Sequence, residues 1–342
     1  MAYTAGIRSV FHRKKRSTVH YVHSNRKGDV MLKYVLKRLG YILVTLWVIV
    51  TCTFFMMKNL PGTPFDAERF SIMTPQQQER VLEMYGLNDS LPMQYVKYIK
   101  NMLKGDLGTS FTYVNQDVSK VITGRLGPSA LIGIQAVLIG LAIGLILGIL
   151  AAWKHNSGID YFTMILAVLG VSVPNFVAAA LLQYYIGLKW GALPVGFWTG
   201  WNCSVLPSIA LSFSATAMVA RFMRTEMLDV LDQDYIITAR AKGLSQMKVL
   251  MRHAVRNSIL PVVTILGPIV VNLMTGSLAV ENIFSIPGIG SLFVDCIKAN
   301  DYPVIMGITI FYAAFYMLIV LLVDLAYSLI DPRIRLAKGK ES

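Results

Sequence analysis

Long runs of residues without charge divide this chain into apolar segments. Six such runs of roughly 20 residues are present, at 39–57, between 125 and 154, at 161–188, at about 204–221, at 257–280 and at 302–323. About 20 apolar residues are needed for a helix to cross the hydrocarbon core of a membrane. The runs lack the alternation of apolar and polar residues that barrel strands show. We therefore predict six membrane-spanning helices, numbered here as spans one to six.

The composition excludes a water-soluble enzyme. Hydrophobic residues make up 55% of the 342 residues and charged residues 15%, against about a quarter charged in a typical soluble domain. The net charge of +13 would suit nucleic acid or a membrane surface, but the chain has too little polar sequence for the basic exterior of a nucleic-acid binder. The three cysteines follow no metal-binding spacing. The sequence therefore predicts an all-α integral membrane protein that is surrounded by membrane lipids and binds no nucleic acid.

The positions of the basic residues predict the orientation of the chain. With a cytoplasmic N-terminus, the cytoplasmic segments hold 22 Lys and Arg and the short external loops hold 2. The long loop after span one is left out of this comparison, because long loops cross membranes largely regardless of charge. Both termini are thus expected in the cytoplasm. The predicted regions are a basic arm (1–32), the first transmembrane helix (33–58), an external helical loop (59–128), a core of five spans (129–330) and a tail (331–342).

The external loop contains the signals of two short helices. Thr74 is suited to cap a helix whose first position is Pro75. A second helix is expected to start after Pro92 and to end at Gly105. The loop holds neither a histidine nor a pairing of a nucleophile with a base. It therefore predicts a small helical cap on the external mouth and not a catalytic site.

The cytoplasmic loop between spans four and five, residues 226–257, predicts two short helices that meet at a glycine. Asp232 or Asp234 can cap the first helix, which Gly243 ends, and Ser245 can cap the second. Such a pair, held just outside the membrane, offers a surface that another protein can contact and move.

This loop resembles the cytoplasmic "EAA" loop of bacterial ABC-importer permeases, in the form found in dipeptide and oligopeptide permeases. The matching residues are Asp234-Tyr235, Thr238-Ala239-Arg240-Ala241-Lys242-Gly243-Leu244, Arg252-His253, Asn257 and Leu260-Pro261. Of the general form, which has an acid and two alanines before the glycine, only Ala239 and Gly243 are present. Further matching stretches are Leu60-Pro61-Gly62, Tyr85-Gly86-Leu87, Gly105-Asp106-Leu107-Gly108-Thr109-Ser110, Phe284-Ser285-Ile286-Pro287-Gly288-Ile289-Gly290 and Asp331-Pro332-Arg333.

The resemblance implies the type I ABC-importer permease fold and a set of partners. The chain is similar to the first of two homologous permease subunits, which work with two cytoplasmic ATPase subunits and an external peptide-binding lipoprotein or periplasmic protein. ATP and Mg would then be bound by the ATPase subunits and no cofactor by this chain, which has no G-x-x-x-x-G-K-[ST] motif.

The same resemblance implies which residues contact the ATPases. We expect charged rim contacts, an apolar docking core and a pivot at the glycine. The rim residues are Asp234, Arg240 and Lys242, the apolar core residues are Tyr235, Ala239 and Leu244, and the pivot is Gly243. The small side chains of Ala239 and Ala241 should let a partner approach the first helix closely.

Polar residues inside the spans are candidates for the substrate pathway. An amide in lipid must find a partner, so Asn272 is expected to line the pathway, and Gln135, Asn175 and Gln183 are similar candidates. Glu281, at the outer end of span five, either meets the amino terminus of a peptide or caps the helix at the membrane interface.

Proline and glycine predict two packing features. Pro174 should interrupt span three, as a hinge or as a static kink. Glycines lie on one face of span two and predict close helix packing. They are Gly133, Gly140, Gly144 and Gly148.

The leading hypothesis from the sequence is a permease subunit that imports oligopeptides or dipeptides across the bacterial cytoplasmic membrane by alternating access. The alternative is an importer of nickel or a metal chelate, whose permeases share these motifs. The scarcity of His, Cys and acids in the spans disfavours direct metal handling. A secondary transporter would need coupling acids, and Asp324 is one isolated carboxylate that we interpret as structural. An intramembrane enzyme would need paired carboxylates, a Ser/His pair or an H-E-x-x-H motif in the spans.

Overall fold

A computed structural model describes residues 35–59, 70, 72–84, 86–113, 116–274 and 278–330. The predicted arm (1–32), the turn at Leu60-Pro61-Gly62, Tyr85, the tail (331–342) and the side chain of Asp324 lie outside what is described. The helices are α1 (Val35–Lys58), α2 (Pro75–Met84), α3 (Leu91–Leu103), α4 (Val118–Trp153), α5 (Gly158–Ser172), α6 (Asn175–Lys189), α7 (Trp201–Leu231), α8 (Asp234–Ala241), α9 (Gln246–Val249), α10 (Arg256–Met274), α11 (Leu278–Ile283), α12 (Ile289–Lys298) and α13 (Tyr302–Ile330). A π-helical turn, Leu250–Val255, joins α9 to α10.

The described residues are all-α, as predicted, and the β pairing among them is one isolated bridge between Thr109 and Asp117. Five stretches are long and apolar enough to cross a membrane, namely α1, α4, α7, Gln246–Ile283 and Tyr302–Val323. The pair α5 and α6 passes the same test when its two helices are taken together. The six predicted spans are thus found as five helices and one bent pair.

Span three is more sharply broken than a kinked helix. Helix α5 ends at Ser172, α6 begins at Asn175, and the two helices are bent by 100°. Pro174 has no N–H to donate and disfavours a helical conformation for the preceding residue, Val173, which is extended at ψ 119°. The predicted interruption is confirmed, and its size makes span three two separate helices.

The glycines of span two set the centre of the bundle, because they let α4 lie directly against α7. A Cβ added to Gly140 would lie 2.7 Å from Ala215 Cβ, and one added to Gly148 would lie 2.6 Å from the carbonyl oxygen of Ala220. A Cβ added to Gly133 would lie equally close to the backbone of α10, at Met274. The predicted glycine face therefore packs helices within this subunit.

A buried carboxylate attaches the end of the external loop to the start of α13. Asp301 is fully buried, and its side chain accepts hydrogen bonds from the Ser110 hydroxyl and from the Thr112 N–H at 3.0 Å. The N–H of Phe111 donates to the same carboxylate at 3.2 Å. These contacts fix the last part of the loop, just before α4 begins.

The helices of the external loop follow their predicted signals. The N–H of Thr74 donates to Gln77 Oε1 at 2.9 Å, and the N–H of Gln77 donates to Thr74 Oγ1 at 3.4 Å. This reciprocal pair is a capping box at the start of α2. Helix α3 begins at Leu91, with Pro92 in its first turn, and ends before Gly105. Both predicted helices are confirmed.

We expect the fit between α4 and α7 to be intolerant of a single methyl group. Gly148→Ala places a Cβ 2.6 Å from backbone, so it should lower the free energy of unfolding by about 1–3 kcal/mol. Gly124→Ala is the matched control on the same helix, because nothing lies within 4 Å of its added Cβ. Thermal unfolding of both purified variants in detergent measures the difference. An equal midpoint for the two would contradict the close packing.

Candidate functional site

The loop between α7 and α10 forms the predicted helix–glycine–helix pair, which we call the coupling hairpin (residues 234–249). Gly243 has a φ of +78°, a left-handed conformation that glycine reaches without steric cost. Its N–H donates to the Arg240 carbonyl at 2.9 Å, and the Leu244 N–H donates to the Ala239 carbonyl at 3.4 Å. These bonds close the end of α8 and turn the chain into α9.

The side-chain caps predicted for the hairpin are not formed. Gln233 occupies the N-cap position of α8, and Asp234 is instead the first helical residue. There its negative charge lies at the end of the helix where the backbone N–H groups are unpaired. Ser245 precedes α9 but makes no capping hydrogen bond through its hydroxyl.

The coupling hairpin has a small apolar core of its own. Ile236, Ala239 and Val249 are buried against one another, with Leu244 partly buried beside them. Leu231, at the end of α7, packs on the same cluster. Because the hairpin carries this core, it is attached to α7 by packing as well as by the chain.

The core changes the roles expected for two residues. Ala239 is 6% exposed and Leu244 packs inward, so these two hold the hairpin together instead of forming an outer docking surface. The outward-facing members of the predicted set are Asp234, Tyr235, Arg240, Ala241, Lys242 and Gly243.

Exposed apolar side chains on and beside the hairpin were missed by the sequence reasoning. Ile237 is 57% exposed, Met247 is 50% exposed and Met251 is 53% exposed. A signal for the first was present, because Ile236 and Ile237 are adjacent in a helix and cannot both face inward. These residues are better placed than Ala239 to meet a partner.

One hydrogen bond links the coupling hairpin to span five. The Asn257 amide nitrogen donates to the Tyr235 hydroxyl at 2.8 Å. Asn257 lies at the start of α10 and Tyr235 in the first turn of α8. The hairpin therefore contacts both helices that flank it in the chain.

The structure encloses Glu281, which the sequence offered as a contact for substrate. The residue is 2% exposed, and its carboxylate accepts hydrogen bonds from the Ser129 hydroxyl at 2.8 Å and the Ser291 N–H at 2.9 Å. A Cβ on Gly288 would lie 2.3 Å from the carboxylate, so glycine is needed for the chain to pass beside it. Glu281 thus joins α4, α11 and the start of α12, and it is closed off from a substrate in this conformation.

Two of the predicted pathway amides join helices. The side-chain oxygen of Gln135, on α4, accepts hydrogen bonds at 2.8 Å from the hydroxyls of Ser204 and Ser208 on α7. The Gln183 amide nitrogen donates to the carbonyls of Val195 at 2.6 Å and Ile283 at 2.7 Å. Both side chains are half-buried.

The other two amides lie on α6 and α10. Asn175 is half-buried at the start of α6, directly after the bend, and Asn272 is exposed on α10. Gln135 and Gln183 thus bond to different partners and do not share one hydrogen-bond group.

Comparison with known proteins agrees with this architecture. Residues 144–336 match the family described as "Binding-protein-dependent transport system inner membrane component", and residues 31–127 match the description of its N-terminal part. The chain is 46% identical over 306 residues to the dipeptide transport system permease protein DppB of Lactococcus lactis, which covers 90% of this chain and 100% of that protein. It is 39% identical over 307 residues to the oligopeptide transport system permease protein OppB of Haemophilus influenzae, covering 89% of this chain and 100% of that protein.

A solved structure shares the fold. The MetNI methionine ABC transporter in inward-facing conformations aligns with a TM-score of 0.54 at 14% identity, over 62% of this chain and 97% of that chain. A bundle of apolar spans with a helix–glycine–helix hairpin between two of them is the architecture of a membrane component of a transport system. The chain belongs to the family of binding-protein-dependent transport system inner membrane components.

Membership in this family confirms the resemblance to ABC-importer permeases that the sequence suggested. The chain is a transport component and not itself an enzyme, and it belongs to a multi-pass family of the bacterial inner membrane. Its class works with ATPase and binding-protein partners.

We expect Gly243 to be required for its conformation and not for its small size. Nothing lies within 4 Å of a Cβ added there, but a φ of +78° strains most side chains. Gly243→Val should weaken binding of the ATPase partner about tenfold or more, because left-handed strain for a β-branched residue is of that order. Gly243→Asn, which tolerates the left-handed region, should bind nearly as wild type. Equal loss in both variants, measured by pull-down of the ATPase, would contradict this account.

Proposed function

We propose that this chain is one of two homologous permease subunits of an importer that moves oligopeptides or dipeptides across the bacterial cytoplasmic membrane. The observation that carries the proposal is the coupling hairpin, which has its own core, exposes Ile237 and Met247, and lies directly between α7 and α10. A surface so placed can pass a displacement made outside the membrane to two adjacent spans.

The energy for transport enters through this hairpin from separate chains. Two cytoplasmic ATPase subunits bind ATP and Mg, and their closing moves the hairpin of each permease subunit. The exposed apolar residues Ile237 and Met247 form the docking core, and Asp234, Arg240 and Lys242 form a charged rim around it. The resulting alternating access opens the pathway first to the external binding protein, a lipoprotein or a periplasmic protein, and then to the cytoplasm.

A peptide is the substrate class that the pathway chemistry and the named relatives support. DppB and OppB are named for dipeptide and oligopeptide transport. The amide candidates for the pathway, such as Asn175, Gln183 and Asn272, carry no charge. Amides donate and accept hydrogen bonds without selecting a charge, so they suit a backbone whose side chains vary.

No specific observation favours the alternative, an importer of nickel or a metal chelate. Throughout the residues that the structure describes, no group of three or more His, Cys, Asp or Glu side chains is placed to hold a metal ion. A chelate held by uncharged groups would still pass such a pathway. The transport experiment described below therefore measures uptake of a nickel chelate as well as uptake of peptide.

Topology is the first expectation that tests the proposal. The 22-to-2 distribution of Lys and Arg supports a cytoplasmic position for the coupling hairpin and for both termini. A cysteine at Lys100, exposed on α3, should react with an impermeant thiol reagent added to intact cells. A cysteine at Gln246, exposed on α9, should react only after the cells are opened. The reverse pattern would refute the orientation.

Energy coupling is the second expectation. Purified alone, the chain should neither bind nor hydrolyse ATP. In vesicles with a second permease, two ATPases and the binding protein, labelled peptide should enter only when ATP is present on the side of the hairpin. Uptake driven by a proton gradient without ATP would refute the proposal. Uptake of a nickel chelate but of no peptide would show that the substrate is a metal chelate and not a peptide.

A matched pair of variants tests the docking surface within the same experiment. Ile237→Asp places a charge at a side chain that is 57% exposed on the hairpin, and Val96→Asp does the same at one that is 58% exposed on α3. Burying an unpaired charge at a docking core costs several kcal/mol, so Ile237→Asp should lower ATP-driven uptake by about 100-fold. Val96→Asp should leave uptake within about twofold of wild type, because surface changes are usually nearly neutral.

A further inference from the structure

An ion pair between a buried aspartate and a partly exposed arginine joins the first turn of α5 to α7, apart from the coupling hairpin. Asp160 is 1% exposed, and the Arg224 guanidinium donates to both of its oxygens, from Nε to Oδ1 at 2.6 Å and from Nη2 to Oδ2 at 2.7 Å. This forked geometry fixes direction as well as distance, because the planar guanidinium and the planar carboxylate must align.

The loop between α4 and α5 closes around the same carboxylate. The Asn156 N–H donates to Asp160 Oδ2 at 3.0 Å, with Asn156 in a left-handed conformation at φ 58°. His155 Nδ1 lies 3.1 Å from that oxygen and 3.2 Å from Arg224 Nη2. When protonated, this nitrogen donates to Asp160, and when unprotonated, it accepts from Arg224. Every neighbour of the carboxylate thus supports the alignment.

Arg224 is placed on the helix that leads into the coupling hairpin. It lies seven residues before the end of α7 at Leu231, which is about 10 Å along the helix at 1.5 Å per residue. Met223 and Met227, on either side of it, are fully buried. The end of α7 is therefore held by packing, and a displacement of the hairpin at its tip reaches Arg224 along one continuous helix.

Elsewhere α5 and α7 meet through small apolar groups. A Cβ on Gly170 would lie 3.0 Å from Ala217 Cβ and 3.0 Å from the Phe213 carbonyl oxygen. An apolar cavity of about 570 Å³ lies in the angle between α5 and α6, against α7. Of the residues described on α5 and α7, the pair Asp160 and Arg224 makes the hydrogen bonds between the two helices. The contact at Gly170 sets how closely α5 and α7 approach, whereas the forked ion pair also fixes their direction and their position along the helix axes.

We propose that Asp160 and Arg224 form a positioning clamp that makes span three move with span four when the coupling hairpin is displaced. Through α5 and the bend at Pro174, the movement reaches α6, which carries Asn175 and Gln183. The clamp rests on the proposed function, because it transmits a displacement that the ATPases supply. It assigns to Asp160 and Arg224 a role in coupling that is separate from docking.

The test uses a variant that removes the ion pair without leaving a charge buried alone. Asp160→Asn combined with Arg224→Gln keeps similar shapes and polar groups and removes both charges, whereas either single change strands one charge. Arg221→Gln is the control, because this exposed arginine lies one helical turn before Arg224. The complete transporter with its ATPases and binding protein is reconstituted for each variant.

The first readout is peptide transported per ATP hydrolysed. The double variant Asp160→Asn/Arg224→Gln, here called the neutral pair, should hydrolyse ATP at nearly the wild-type rate. It should transport about tenfold less peptide per ATP, as expected for the loss of one strongly coupled pair. Arg224→Lys keeps the charge but loses the two parallel hydrogen bonds, so its transport per ATP should lie between those of the neutral pair and the wild type. Arg221→Gln should match the wild type. A purely structural role would lower the yield and the unfolding temperature but leave transport per ATP unchanged, and that result would overturn the clamp.

The second readout does not depend on which substrate is carried. A cysteine introduced as Asn175→Cys is labelled with and without nucleotide trapped in the ATPases. The labelling of the same chain without this substitution is subtracted as background. The labelling rate should change about tenfold on trapping in the otherwise wild-type chain and less than about twofold in the neutral pair. An unchanged response in the neutral pair would overturn the clamp. If peptide does not enter but the label responds only when the ion pair is present, then the peptide assignment fails and the clamp stands.

Discussion

The close approach of α4 and α7 is the constraint on which the rest of this bundle depends. Lipid tails are as apolar as leucine, so helices in a membrane gain little from burying apolar side chains and associate instead by contact between backbones and by hydrogen bonds. Gly140, Gly144 and Gly148 allow that contact along successive turns of α4. The seryl hydroxyls of Ser204 and Ser208 then reach Gln135 across the interface. Once α7 is fixed against α4, the remaining helices of the core and the coupling hairpin have a surface to pack on.

Buried carboxylates determine how the ends of these helices are joined. Asp160 lies in the first turn of α5, Asp301 directly before α13, and Glu281 faces the start of α12. A helix begins with backbone N–H groups that lack partners inside the helix, and a carboxylate can accept from them. Each of these acids also accepts a hydrogen bond from a side chain on another segment, namely Arg224, Ser110 and Ser129 respectively. Close packing at glycines thus holds the helices together in the middle of the bundle, whereas charge and hydrogen bonding join them at its ends.

Features that depend on local order along the chain could be predicted from the sequence. The capping box at Thr74, the glycine that ends α8 and the glycine face of α4 all follow from residues a few positions apart. Features that depend on which surfaces meet could not be predicted. The sequence gives no measure of the 100° bend at Pro174, because proline removes one hydrogen bond but neighbouring helices decide the direction of the next helix.

The same limit explains the polar residues that changed role. Glu281 lies at the end of a span, where an acid can face either water or the protein, and only the folded structure, with the turn at Gly288, shows that it is enclosed. Ile236 and Ile237 are chemically alike, and the packing of α8 on Val249 decides which of them is buried. Asp160 and Arg224 are 64 positions apart, so their pairing becomes visible only when α5 and α7 are placed side by side.

The distribution of rigid and adjustable contacts follows from what a permease must do. A bundle held uniformly by close packing could not change the side to which it opens, and one held loosely could not transmit a displacement. Here glycines bring α4 and α7 into contact along successive turns, whereas α5 contacts α7 closely at Gly170, lies beside an apolar cavity and is joined to α7 by the ion pair of Asp160 and Arg224. The coupling hairpin is packed on the end of α7 through a small core that includes Leu231, so a displacement of the hairpin is passed to α7. A displacement of the hairpin is passed first to α7, which is closely packed on α4, and then through the ion pair to α5 and α6. In this order, a movement outside the membrane can be converted into a change within it.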